Sequence, residues 1–229
     1  KQVNKVGIIV QKFGGTSVGS ATRMKEVASL ICDGDQKIVV LSAMSGTTNT
    51  LVEIADYLYK KNPVSANEVI NKMEQKYAAV VDELYSKDET KVEANNILKV
   101  HFDLLRKFTQ NNVFLLFDEK IILAQGELMS TAMVNLYLQE IGIKSVLLPA
   151  LDFMRIDKNN EPDLAYIRTN INKTLSVLPS DTEIYITQGY ICRNAYNEID
   201  NLQRGGSDYT ASLIGAAVKA TEIQIWTDI

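Results

Sequence analysis

Cysteine and histidine are scarce in this 229-residue chain, with two of the first and one of the second. Cys32 and Cys192 show no CxxC spacing, so neither a zinc site nor a redox motif is indicated. A disulfide scaffold would need more cysteines in a much shorter chain, and both thiols are expected to be buried and reduced. The single histidine, His101, falls in a stretch that reads as helix, Asn95 to Phe108, and is assigned a structural role. A Ser-His-Asp hydrolase would have no other histidine to use. No uninterrupted apolar run approaches the roughly 18 residues of a membrane span, and the first residues lack the apolar stretch of a secretory signal. Lys and Arg number 24 against 28 Asp and Glu, a net charge of -4, which gives no support to a nucleic-acid partner. No membrane partner is expected either, and the location that fits these absences is the cytoplasm. The Asn172-Lys173-Thr174 sequon carries no meaning without a secretory route.

What is present is an ordinary globular composition, 46% hydrophobic and 23% charged. Gly7 to Phe13 is a short β-branched run that reads as a buried strand, followed by a Gly/Ser/Thr loop, Gly14 to Ser20. Helical spacing follows from Ala21 to Ile31. A second strand, Lys37 to Ser42, leads into a second small-residue loop, Ala43 to Asn49, and a helix from Thr50 to about Lys60. Residues 64–112 contain no convincing strand and read as a helical insertion, broken near Ser86 to Glu89. Phe114 to Ile141 reads as helix, stopped at Gly142. Strands at Ser145 to Leu148 and Glu183 to Thr187 flank a helix from Leu164 to Leu178. Gly205 to Asp208 opens a helix from Tyr209 to Ala220, and Glu222 to Trp226 is the last strand. Alternating strands and helices predict an α/β fold with a largely parallel sheet covered on both faces. In such sheets ligands sit at the carboxyl ends of the strands. The chain stops just beyond such an end, which suggests a piece of something longer.

Three small-residue loops follow three of these strands. In Lys12-Phe13-Gly14-Gly15-Thr16-Ser17-Val18-Gly19, adjacent glycines let backbone N–H groups approach an anion, and a lysine stands beside them. Gly14 and Gly19 have Walker A spacing, but Ser20-Ala21 replaces the Lys-Ser/Thr pair, and GxGxxG is absent. A phosphate loop of another kind and a tight turn of structural use both remain open. Ser42 to Asn49 offers hydroxyls for a carboxylate or phosphate, or a simple helix cap. Arg204-Gly205-Gly206-Ser207-Asp208 places an arginine and glycines at a helix start, a receptor for a carboxylate. Asp208 orients a lysine, holds a metal through water, or caps the helix. Glu127, within Gly126-Glu127-Leu128-Met129-Ser130-Thr131, is an acid in an apolar helical region, costly unless a cationic ligand or salt bridge meets it. Thr227 and Asp228 lie just past the final strand.

Together these blocks resemble the aspartate kinases of the amino-acid kinase superfamily. The matching segments are Lys12 to Val18, Gly126 to Ser130, Ile186-Thr187-Gln188-Gly189-Tyr190, Arg204 to Ala211 and Ile225-Trp226-Thr227-Asp228, in the family's order. The resemblance implies the amino-acid kinase fold, a three-layer αβα sandwich. It implies transfer of the ATP γ-phosphoryl group to the β-carboxylate of L-aspartate, the entry to lysine, threonine and methionine synthesis. ATP is then a co-substrate accompanied by Mg²⁺, no residue is assigned as a protein metal ligand, and the full-length protein is a homo-oligomer. By the match, Lys12, Phe13, Gly14 and Gly15 hold the phosphates, and Lys12 and Asp208 are catalytic. Glu127 takes the substrate ammonium, and Arg204 its α-carboxylate, with Thr48, Gly205, Gly206 and Ser207 completing the pocket. Thr227 and Asp228 begin the nucleotide wall. Gln203 and Cys192 replace glycines common in the family. The resemblance also implies that residues 1–229 are a catalytic domain cut short on its C-terminal side, without the regulatory ACT domains or a homoserine dehydrogenase partner, and of little activity alone. The readings set beside it are another carboxyl or phosphate kinase of the superfamily (N-acetylglutamate, glutamate, carbamate or UMP) and a non-catalytic binding module.

Overall fold

The computed structural model describes residues 7–203 and 205–227. Five strands form one sheet in the order β3-β4-β2-β1-β7, and every pair is parallel. The strands are β1 (Ile9–Phe13), β2 (Lys37–Leu41), β3 (Ser145–Leu147), β4 (Ile184–Gln188) and β7 (Glu222–Trp226). A separate antiparallel hairpin pairs β5 (Ile191–Arg193) with β6 (Ile199–Asn201). The helices are α1 (Ala21–Ile31), α2 (Thr47–Tyr59), α3 (Pro63–Leu84), α4 (Asp88–Phe108), α5 (Leu116–Glu140), α6 (Leu164–Val177) and α7 (Gly206–Val218).

The three-layer αβα arrangement is as expected. Alternate residues of β2 feed opposite cores. Val39 and Leu41 join Phe13, Ile184 and Ile186 under α1 to α5. Ile38 and Val40 join Val10 and Tyr185 under α6 and α7. A strand buried on both faces has to be apolar throughout, and Ile-Val-Val-Leu is. Lys37 opens that strand although buried, because its Nζ donates to Ile31 O at 3.1 Å and Asp35 O at 3.3 Å and pairs with Asp33.

Helix starts follow local capping chemistry. Ser20 accepts from Arg23 N at 3.2 Å, Asn62 from Ser65 N at 3.1 Å ahead of Pro63, and Asp163 from Tyr166 N at 3.1 Å. The expected insertion is the antiparallel pair α3 and α4, broken at residues 85–87. By length and hydropathy α5 could cross a membrane, yet it is the central core helix of this fold, 83% buried over its most apolar window.

The local expectations need correction at four places. α2 begins at Thr47 rather than Thr50, and α7 at Gly206 rather than Tyr209, because Gly46 and Gly205 adopt left-handed φ of 84° and 73° and turn the chain straight into helix. Thr48, Ser207 and Asp208 are therefore first-turn residues. The β5–β6 hairpin was not foreseen, since each strand is three residues long and too polar to show a period. Cys32 is only half-buried, whereas Cys192 is buried, and both are free thiols.

Candidate active site

Strand register gathers the site. Phe13 pairs with Leu41 on one side and Trp226 on the other, and Leu41 pairs with Gln188. Four strands thus end level, and the segments beginning at Gly14, Ser42, Gly189 and Thr227 leave from one edge. β2, β4 and β3 lie to one side of β1 and β7 to the other, so the chain reverses its winding at β1, where a crevice opens in such sheets.

A cavity of about 440 Å³ occupies this edge, lined among others by Gly15, Thr48, Glu127, Tyr190, Gly206 and Ser207. Residues from five of the motif segments, far apart in sequence, therefore meet in one pocket. Its walls are tied together. Ser42 Oγ donates to Ser207 Oγ at 2.8 Å, Ser45 N to Gly15 O at 3.0 Å, and Ser130 Oγ to Ser42 O at 2.8 Å. Two glycines permit the close approach: a Cβ on Gly15 would lie 2.9 Å from Ala43 O, and one on Gly189 only 2.2 Å from Ser207 Oγ.

Glu127 forms the floor. It is 4% exposed, and its Oε2 has no hydrogen-bond partner among the described residues. Burial pushes its carboxyl up to about 8, while backbone N–H groups of Glu127 and Ala43 pull the other way. No ion pair reaches it among the described residues, so the salt-bridge alternative left open by the sequence finds no partner there. The turn carrying Glu127 is fixed from behind: Thr131 Oγ1 donates to Glu127 O at 2.7 Å, and Gln188 Nε2 donates to Thr131 Oγ1 at 3.0 Å.

Beside this pocket, Lys12 Nζ lies 2.8 Å from Asp208 Oδ1, and a Cβ on Gly14 would sit 3.4 Å from the same ammonium. Lys12, Gly14 and the first turn of α7 thus form a charged shelf next to the acid-floored cavity. Gly205 and Asp208 also face a wider groove of about 830 Å³. The ring of Phe13 is fully buried and stacks on Trp226, centroids 5.7 Å apart, so it anchors the strand end and leaves only its backbone to face a ligand. Thr227 is exposed at the end of β7. Arg204 and Asp228 lie outside the described residues.

Gly15 to Gly19 also spells the letters of a nucleophile elbow, GxSxG, but Ser17 is buried and His101 Nδ1 is 2.6 Å from Gln125 Oε1 between α4 and α5. Sequence reasoning assigned no role to Tyr190, which lines the pocket with a left-handed φ of 72° and donates its N–H to Thr210 Oγ1 at 2.9 Å. Its position directly after Gly189, in a quoted motif, was the available signal. Ser42, too, was noted only as part of its loop.

The model of the amino acid kinase family matches residues 7–229. The chain belongs to the amino acid kinase family. Among relatives within it, lysine-sensitive aspartokinase 3 of Escherichia coli is 32% identical over 227 residues, covering 97% of this chain and 49% of the relative. The aspartokinase of Chlamydia trachomatis is 32% identical over 228 residues, covering 96% and 48%. The crystal structure of E. coli aspartokinase III in complex with aspartate and ADP superposes with a TM-score of 0.82 at 30% identity, over 97% of this chain and 49% of that one. The chain thus spans about half the length of the curated relatives it matches. The aspartate kinase of Clostridium acetobutylicum, at 21% identity and a TM-score of 0.79, shares the fold of this family member.

Proposed function

We propose that this amino acid kinase takes part in ATP-dependent phosphorylation of the β-carboxylate of L-aspartate, yielding 4-phospho-L-aspartate. The observation that carries the reading is the buried Glu127 carboxylate, whose Oε2 has no hydrogen-bond partner among the described residues, at the floor of a pocket lined also by Ser42, Thr48, Ser207 and the glycines Gly15 and Gly206. A free ammonium answers such an acid. An acylated amine or a nucleobase does not, which sets N-acetylglutamate and UMP aside; glutamate, which keeps a free ammonium, is separated by titrating L-glutamate alongside L-aspartate.

The reaction needs no general base, because an aspartate β-carboxylate is already ionised at neutral pH. The protein has to bring two anions together and stabilise the charge that spreads as the phosphoryl group moves. Glu127 receives the substrate ammonium. Thr48, Ser207 and the Gly205-Gly206 backbone, with Arg204, receive its α-carboxylate and leave the β-carboxylate toward Lys12. Lys12, held by Asp208 and flanked by Gly14 and Gly15, neutralises the phosphates. Thr227 and Asp228 begin the wall for the nucleotide. Mg²⁺ keeps its waters and binds through substrate phosphates and one or two carboxylates; Asp208 is the carboxylate at hand, and the ion would add positive charge at the phosphates.

Calorimetric titration of the chain with L-aspartate and with N-acetyl-L-aspartate tests the reading. Binding of the free amino acid, lost on acetylation and lost in Glu127→Gln, is expected. Equal binding of both ligands would remove Glu127 as the ammonium receptor, and the assignment with it.

A further inference from the structure

α2 brings Thr48 to the pocket, yet it starts without a cap of its own. Its N-cap is Gly46 at φ 84°, no side chain caps the first turn, and no acid stands there. Something else has to hold that turn in place. Thr47, its first residue, shares a buried hydrogen bond of 2.7 Å with the hydroxyl of Tyr77, in the middle of α3. Thr47 is also pressed from the other side by α5. A Cβ on Gly126 would lie 3.4 Å from Thr47 Cγ2 and 2.9 Å from Ala43 Cβ. Thr47 is therefore wedged between the insertion and the residue preceding Glu127. Tyr77 is fully buried, and its ring meets Phe102 of α4 edge-on at 5.7 Å, so both insertion helices fix the hydroxyl.

We infer that Tyr77 is a positioning residue for the amino-acid pocket, setting the start of α2 against the Glu127 turn, so that the helical insertion takes part in substrate recognition. This inference rests on the aspartate reading above. A second buried tyrosine of the insertion supplies the contrast. Tyr85 OH donates to Met133 O at 2.7 Å, more than a helical turn beyond Glu127 on α5, and touches no pocket-lining residue by hydrogen bond. Tyr77→Phe and Tyr85→Phe each delete one buried hydroxyl from the same insertion, and only the first deletes it next to the pocket.

The test is L-aspartate affinity by calorimetry, with melting temperature measured in parallel, for the wild type, Tyr77→Phe, Tyr85→Phe, Thr47→Val and the Thr47→Val/Tyr77→Phe pair. Both tyrosine variants are expected to melt earlier. Tyr77→Phe alone should weaken aspartate binding, by roughly threefold to tenfold, the range for one lost neutral hydrogen bond. The double variant should bind like the weaker single one, since both changes break the same bond. Unchanged affinity in Tyr77→Phe, or an equal loss in Tyr85→Phe, would overturn the inference and leave the aspartate reading standing. A wild type that binds no aspartate would overturn both.

Discussion

Lys12 Nζ lies 2.8 Å from Asp208 Oδ1 and joins the penultimate residue of β1 to the first turn of α7. The lysine side chain is largely buried and the aspartate about half exposed. The lysine is thus the more restrained partner, and on the proposed function its ammonium exchanges the aspartate for a phosphate. An ion pair so open to water adds little to stability, so the pairing is better understood as keeping the ammonium aimed over the Gly14-Gly15 turn.

In the full-length protein, Lys12→Ala is expected to lower acyl-phosphate formation by about 100-fold or more, the scale for a positioned charge lost at the transition state. Trapping the product with hydroxylamine reads the rate. Aspartate affinity should change little, because Lys12 lies beside the acid-floored pocket and does not line it. A near-wild-type rate would take Lys12 out of the mechanism.

On the proposed function, the raised Glu127 carboxyl predicts that aspartate binding releases a proton. With its pKa near 8 the acid is mostly neutral at pH 7 in the empty pocket. It has to ionise to pair with an ammonium, so one proton leaves on binding. Affinity should then fall by up to about tenfold per pH unit as pH drops below 8. At pH 7 the binding enthalpy should differ between phosphate and Tris by close to one proton's worth of buffer ionisation. An enthalpy independent of buffer would show that Glu127 is already ionised in the empty pocket.

The same group predicts a stability change of opposite sense to the binding change. Between the unfolded value of 4.5 and the folded value of about 8, the native protein keeps a proton that the unfolded chain has lost. Stability of the empty protein therefore decreases as pH rises through that window and levels off above it. Glu127→Gln removes this slope. The variant should be more stable than the wild type at pH 8, on the order of a few kcal/mol, and nearly equal at pH 5, by urea denaturation at the two pH values. It should also lose aspartate binding. A variant destabilised at both pH values would contradict the buried-acid account.

The sheet was legible because β1, β2 and β4 are short stretches rich in β-branched residues followed by glycine or serine loops, a pattern that chain-local physics dictates. That Gly15, Thr48, Glu127 and Ser207 share one pocket was legible because small-residue loops at strand ends and an acid in an apolar helix stand out in the sequence. The order β3-β4-β2-β1-β7 was not, since register and neighbour choice depend on which faces pack together. Two kinds of residue escaped for the same reason. Phe13 sits inside a phosphate-loop motif, yet its ring belongs to the core, a fact set by Trp226 more than 200 residues away. Tyr190 lines the pocket through a left-handed backbone turn that no periodicity announces.

Gly189 tests whether close backbone approach, and not loop flexibility, explains the glycine after β4. It is not in a left-handed conformation, so alanine carries no backbone strain of that kind there. What alanine would meet is Ser207: its Cβ would fall 2.2 Å from Oγ, 2.5 Å from Cβ and 2.9 Å from Cα. Rotating the serine relieves only the first of these, so the start of α7 has to move. That movement breaks the 2.8 Å Ser42–Ser207 bond and displaces Asp208 from Lys12. Gly189→Ala is therefore expected to cost about 1–3 kcal/mol of stability, the range for an overpacked interior, and to abolish aspartate binding. Adding Ser207→Gly removes the two side-chain clashes and should recover most of the stability, with recovery measured by melting temperature. If the double variant is no more stable than Gly189→Ala alone, contact with Ser207 is not what requires glycine at this position.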